Sequence, residues 1–139
     1  MGCNGAAHRA ILLRAGLRGE SEILLNGLVY HWDMPVEIKN LLAEFKQGLA
    51  RIYGDHLKAV VLFGSYARGD YHESSDLDVM IVLDTYKRYW DELVRSAELA
   101  SDLSLKYDVT VSRTIMTEEQ WKKGDLPVLR NIRAEGVPA

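Results

Sequence analysis

Apolar positions recur along this chain in two rhythms that alternate with each other. From Met34-Pro35 onward, Ile38, Leu41, Leu42, Phe45, Leu49 and Ile52 fall at helical spacing, up to Gly54, a residue suited to end a helix. Leu57-Lys58-Ala59-Val60-Val61-Leu62-Phe63 is a short apolar run bounded by turn residues and predicts a buried strand. A second strand is expected over about Asp76 to Leu83. Tyr86 to Leu105 then places Tyr89, Trp90, Leu93, Val94, Ala97, Ala100 and Leu103 on one stripe of a second long helix, with Tyr86, Tyr89 and Trp90 expected in the core. Tyr107 to Ser112 alternates, which puts Asp108, Thr110 and Ser112 on one face of a third strand and Val109 and Val111 on the other.

Thr117-Glu118-Glu119-Gln120 reads as a capping box opening a short helix through Trp121, and Pro127 begins another that reaches about Glu135 before Gly136. Residues 1–33 show no clear period and carry glycine at positions 2, 5, 16, 19 and 27, so they are expected to form a loosely attached extension. Their dense apolar stretch, Ile23 to Trp32, could instead pack on an exposed face. Elsewhere helices and strands alternate, the pattern of an α/β domain in which helices cover a sheet.

The length of 139 residues allows one domain, taken as residues 34–139. Seventeen basic and twenty acidic residues, well mixed, leave a net charge of −3, so no broad surface for nucleic acid is expected. No apolar run approaches the length of a membrane span. The lone Cys3 cannot close an internal disulfide, which fits a reducing cytoplasm. The four histidines, at 8, 31, 56 and 72, have no metal-ligand spacing.

Candidate chemistry concentrates between residues 64 and 83. Gly64-Ser65 is followed, ten residues later, by Asp76-Leu77-Asp78 at the mouth of a strand, where aspartate is ordinarily avoided. Such a spaced pattern arises by chance in roughly a few chains per thousand of this length. Residues i and i+2 of a strand share a face about 6.5 Å apart, so Asp76 and Asp78 can act on one ligand. Oxygen-only donors on an open site favour Mg²⁺ with the phosphates of a nucleoside triphosphate. Two such ions would be bridged by Asp76 and Asp78, with Asp108 holding the ion that activates an acceptor hydroxyl. Gly64 and Ser65 would receive the departing phosphates through backbone amides and the Ser65 hydroxyl. Arg68 either adds charge there or fixes the turn, and Arg113 is a weaker candidate for the same phosphates.

Gly-Ser, the ten-residue spacing, Asp-x-Asp and a later aspartate resemble the nucleotidyltransferase superfamily to which DNA polymerase beta belongs. Gly64-Ser65-Tyr66-Ala67-Arg68-Gly69 with Ser75-Asp76-Leu77-Asp78, and a closing Leu129 to Gly136, resemble more narrowly its minimal (MntA-like) members. The resemblance covers roughly residues 34–136 and implies an α+β fold, a mixed sheet with helices packed against it. It also implies two Mg²⁺ ions and transfer of AMP from ATP. In that family the acceptor is often a tyrosine of an HEPN-type toxin, which the transferase silences as its antitoxin. Two alternatives stay open: transfer to a small molecule or RNA, and a non-catalytic binding antitoxin. Small-molecule and RNA members generally carry a further helical domain, and only about thirty residues follow Asp108 here. The acceptor must come from a partner or from self-assembly into a homo-oligomer.

Overall fold

The computed structural model describes residues 11–13, 23–25, 28–30, 34–123 and 129. Three short strands, β1 (Ile11–Leu13), β2 (Ile23–Leu25) and β3 (Leu28–Tyr30), precede helix α1 (Val36–Tyr53). Strand β4 (Leu57–Phe63), the single-turn helix α2 (Ser65–Arg68), strand β5 (Leu77–Leu83), helix α3 (Tyr89–Tyr107), strand β6 (Val111–Thr117) and helix α4 (Glu118–Lys123) follow. The sheet runs β3-β2-β1-β4-β5-β6, antiparallel throughout except for the parallel pair β5 and β6. It is therefore mixed, with helices packed against it, as an α+β nucleotidyltransferase fold requires.

Alternation along β4, β5 and β6 divides the interior into two layers. Val60, Leu62, Leu77, Val79, Ile81, Val111 and Ile115 face α1 and α3, where they meet Ile38, Leu41, Phe45, Leu49, Ala100 and Leu103. Ala59, Val61, Met80, Val82 and Met116 point the other way and pack with Leu129 and the edge of Trp121. Both faces of the central strands are buried, which is why β4 and β5 read as unbroken apolar runs. Phe45 is fully buried, and truncating such a side chain to alanine typically costs about 3–5 kcal/mol.

Local rules account for the ends of these elements. Gly54 closes α1 at φ +55°, with its N–H donated to Ala50 O. The Gln120 N–H donates to Thr117 Oγ1 (3.1 Å) and the Thr117 N–H to Gln120 Oε1 (3.0 Å), a complete capping box at the start of α4. Among the described residues no helix is long and apolar enough to cross a membrane.

Four expectations change. Within residues 1–33, three strands continue the sheet from the free edge of β4, and three-residue strands are too short to display a period. The rest of that extension, and the expected helix from Pro127 apart from the buried, helical Leu129, lie outside the described residues. Trp90 and Val94 are exposed (70% and 57%), and Tyr89 is exposed as well, whereas Tyr86 does pack against the core. The face of α3 turned inward instead carries Glu92, Ser96, Ala100 and Leu103. Its polar members are satisfied there: Arg95 Nη1 donates to Glu92 Oε1 at 3.2 Å, and the Tyr53 hydroxyl and Ser96 Oγ both donate to the Glu92 backbone carbonyl, each at 3.1 Å.

The remaining change concerns Asp108, which is not in a strand. It ends α3 in the left-handed conformation (φ 54°, ψ 42°), with its N–H on Ser104 O, and β6 begins three residues later at Val111. A helix that must turn into a strand needs one residue with positive φ, and aspartate tolerates it better than most. Ser104 completes the junction by accepting the Val111 N–H on its hydroxyl at 3.0 Å.

Candidate active site

Strand β4 delivers the chain to Gly64, whose φ of 76° and ψ of −156° suit glycine alone. The turn is forced by proximity as well as by dihedral angle. A Cβ at Gly64 would stand 3.0 Å from Asp78 Cγ and closer still to Oδ2, so the bare backbone of residue 64 lies directly against that carboxylate. Register explains the encounter, because Phe63 at the end of β4 is paired with Asp78 near the start of β5.

Helix α2 rises from this point. The Ala67 and Arg68 N–H groups donate to Gly64 O, and the Gly69 N–H to Ser65 O, before Gly69 reverses the chain at φ 87°. Tyr66 is driven into the core, and Tyr71 stacks on it with ring centroids 4.3 Å apart and planes 10° from parallel. Burial raises the Tyr66 hydroxyl above its ordinary pKa, with Tyr71 adding to the shift. In the loop beyond, the Ser75 N–H donates to His72 O (2.9 Å) and the His72 N–H to Ser75 Oγ (2.9 Å). This locked loop ends at Asp76, and the Leu77 N–H then joins β6 through Thr110 O.

Asp78 has the parity of Met80 and Val82, so it projects from the sheet face opposite α1 and α3. Asp76, two residues earlier, shares that face at the exposed mouth of β5, about 6.5 Å away along the strand. The structure sets Gly64 against Asp78, with Ser65 next to Gly64 in the turn and Asp76 two residues before Asp78. Arg68 closes α2, and its Nε donates to Asp70 Oδ2 at 3.1 Å.

Asp108 stands at the left-handed end of α3 and not in a strand, which corrects the strand position from which its metal-holding role was argued. Among the described residues no three His, Cys, Asp or Glu side chains gather as a metal-holding group. The register neighbour of Asp78 on β6 is Ser112. Arg113 is corrected too: its Nη1 donates to Leu93 O (2.6 Å) and to Ser96 Oγ, on the helix-covered face away from the carboxylates. Ser112 is the site residue that sequence reading passed over, although the alternation of Tyr107 to Ser112 had already put it on the right face.

Two carboxylates, one cradled by glycine, with serine hydroxyls beside them, form an oxygen-only donor set that fits one Mg²⁺ completed by water and phosphate.

Comparison with known proteins bears on this arrangement. The family described as nucleotidyltransferase domain matches residues 42–136. The chain belongs to the nucleotidyltransferase family. It is a minimal member of the superfamily, and its activity class is nucleotidyl transfer. One relative from Methanocaldococcus jannaschii, named "putative protein adenylyltransferase", is 44% identical over 80 residues, 58% of this chain and 80% of its own. A second of the same name and organism is 38% identical over 96 residues, 68% of this chain and 90% of its own. A bifunctional uridylyltransferase/uridylyl-removing enzyme of Pseudomonas entomophila is 34% identical over 76 residues, 53% of this chain but 8% of that much longer protein. No solved structure matches the chain.

Proposed function

We propose that this nucleotidyltransferase moves AMP from ATP to a hydroxyl of another protein, with residues 34–139 as the transferring domain. We further propose that the acceptor is a tyrosine of an HEPN-type toxin, so that the chain acts in the cytoplasm as the antitoxin of a toxin-antitoxin pair. The observation that carries the reading is the packing of Asp78 against the side-chain-free Gly64 at the head of α2, with Asp76 on the same face. The names of the two archaeal relatives support a protein as acceptor.

The chemistry assigned to the site is an in-line displacement. The acceptor oxygen attacks the α-phosphorus, the α–β phosphoanhydride bond breaks, and pyrophosphate departs while the hydroxyl proton is lost to solvent. Asp76 and Asp78 would hold Mg²⁺, which when bound offsets the charge of the phosphates and of the transition state. Ser65 is placed to donate its hydroxyl to the leaving phosphates, a charge-assisted bond worth about 1.5–3 kcal/mol. Gly64 keeps the backbone low enough for the phosphates to approach the carboxylates.

Co-expression with an HEPN-type toxin and intact-mass analysis test the proposal. A gain of one or more AMP units on the partner's tyrosine, absent with Asp76→Asn and Asp78→Asn, is expected. Neutralisation of the partner without a mass change would replace transfer by simple occlusion. Modification of RNA or a small molecule in place of the partner would move the acceptor to the other alternative.

A further inference from the structure

The parallel pair β5 and β6 fixes what stands beside the two carboxylates. Asp78 is in register with Ser112, and the next pair on the same face is Met80 with Thr114. Thr110, whose carbonyl accepts the Leu77 N–H, occupies the mouth of the site next to Asp76. The β6 side of the site is consequently a row of neutral hydroxyl residues, Thr110, Ser112 and Thr114. Arg113, the one charged residue among them, is turned to the opposite face and spent on Leu93 O and Ser96 Oγ.

Adjacent strands lie about 4.8 Å apart, so the residue in register with Asp78 is the one able to share a second ion with it. A neutral hydroxyl there supplies no charge. Two carboxylates balance the charge of one divalent cation, and Mg²⁺ is commonly held by one or two carboxylates plus substrate phosphate. A second cation about 3.5–4 Å from the first would share the nucleotide's phosphates but find no third carboxylate gathered there among the described residues.

We propose that this chain by itself holds one divalent ion with its nucleotide, in place of the two that the sequence suggested, because Ser112 occupies the position where a third carboxylate would complete a second ion's shell. This rests on the reading of Asp76 and Asp78 as metal ligands. It sets a division of labour: if transfer uses a second ion, the acceptor brings its ligand.

Electron paramagnetic resonance of the full chain with Mn²⁺ and a non-hydrolysable α,β-methylene ATP tests it without turnover. One protein-bound Mn²⁺ per chain with an uncoupled six-line spectrum is expected. Ser112→Asp is expected to raise the count to two and to produce the spin-coupled spectrum of a close pair. A coupled pair in the unmodified chain would overturn the inference, pointing to a carboxylate outside the described residues, and would leave the proposed function intact. No protein-bound Mn²⁺ at all would overturn both. A Ser112→Asp chain that folds yet still binds one ion would remove Ser112 from its assigned position.

Discussion

Gly64→Ala probes the contact on which the site depends. At φ 76° and ψ −156° the backbone lies in a region essentially reserved for glycine, which costs other residues about 1–3 kcal/mol. The new methyl would also meet the Asp78 carboxylate, with Cγ at 3.0 Å, and displacing a packed group typically adds roughly 1–3 kcal/mol. Together these amount to about 2–6 kcal/mol, a large share of the ~5–15 kcal/mol stability of an ordinary domain. Gly54→Ala supplies the control, since Gly54 also has positive φ (55°, ψ −129°) but nothing within 4 Å of the added methyl, so only a backbone penalty of about 1–3 kcal/mol applies. Asp78→Ala removes Cγ and Oδ2 and should relieve the contact part alone. Urea denaturation of Gly64→Ala, Asp78→Ala and the double variant yields the coupling directly, and a value of at least about 1 kcal/mol in the relieving direction is expected. If Gly64→Ala costs no more than Gly54→Ala and shows no coupling to Asp78, the close approach does not exist and the geometry of the site is wrong.

Further outcomes follow from the same geometry. Asp76→Asn and Asp78→Asn should each slow nucleotide transfer by about two powers of ten or more, close to 3 kcal/mol, with circular dichroism unchanged. Asp108→Asn should leave transfer near normal, because Asn also accepts the left-handed helix end that Asp108 forms here. Arg113→Met should cost about 1–3 kcal/mol in denaturant by removing charge-assisted hydrogen bonds to Leu93 O and Ser96 Oγ, while ATP affinity stays the same. The hydrogen bond from Lys106, and then that from the Tyr107 hydroxyl, hold Glu44 below the usual carboxylate range. Its folded pKa is thus depressed, so this contribution is present above the ordinary value of 4.5 and lost as pH falls through the folded one. Glu44→Gln should accordingly flatten the acid limb of the thermal midpoint against pH.

Legibility in the sequence followed how strongly each element states its own rule. The inward stripe of α1, its glycine cap, strands β4 and β5, and the capping box of α4 each satisfy a single local requirement, and each could be read directly. Gly64, Ser65, Asp76 and Asp78 were legible because aspartate at the mouth of an apolar strand has no folding motive. Where two requirements compete, pattern misleads. In α3 the inward face carries Glu92 and Ser96, made tolerable by Arg95 of the same helix and by Arg113 from β6, while the bulky Trp90 faces outward. Asp108 sits in a stretch that alternates like a strand, yet the need to end α3 claims it first. Ser112 acquires its meaning only from the β5-β6 register, which no local pattern encodes.

The most direct test of nucleotidyl transfer at this site compares the fate of two labels. The purified chain is incubated with Mg²⁺ and the HEPN-type toxin proposed as its acceptor, with ATP labelled at either the α- or the γ-phosphorus. Label from the α position alone should appear on the partner's tyrosine, and neither Asp76→Asn nor Asp78→Asn should transfer it. Label arriving from the γ position, or α-label persisting undiminished in both variants, would contradict nucleotidyl transfer by these carboxylates.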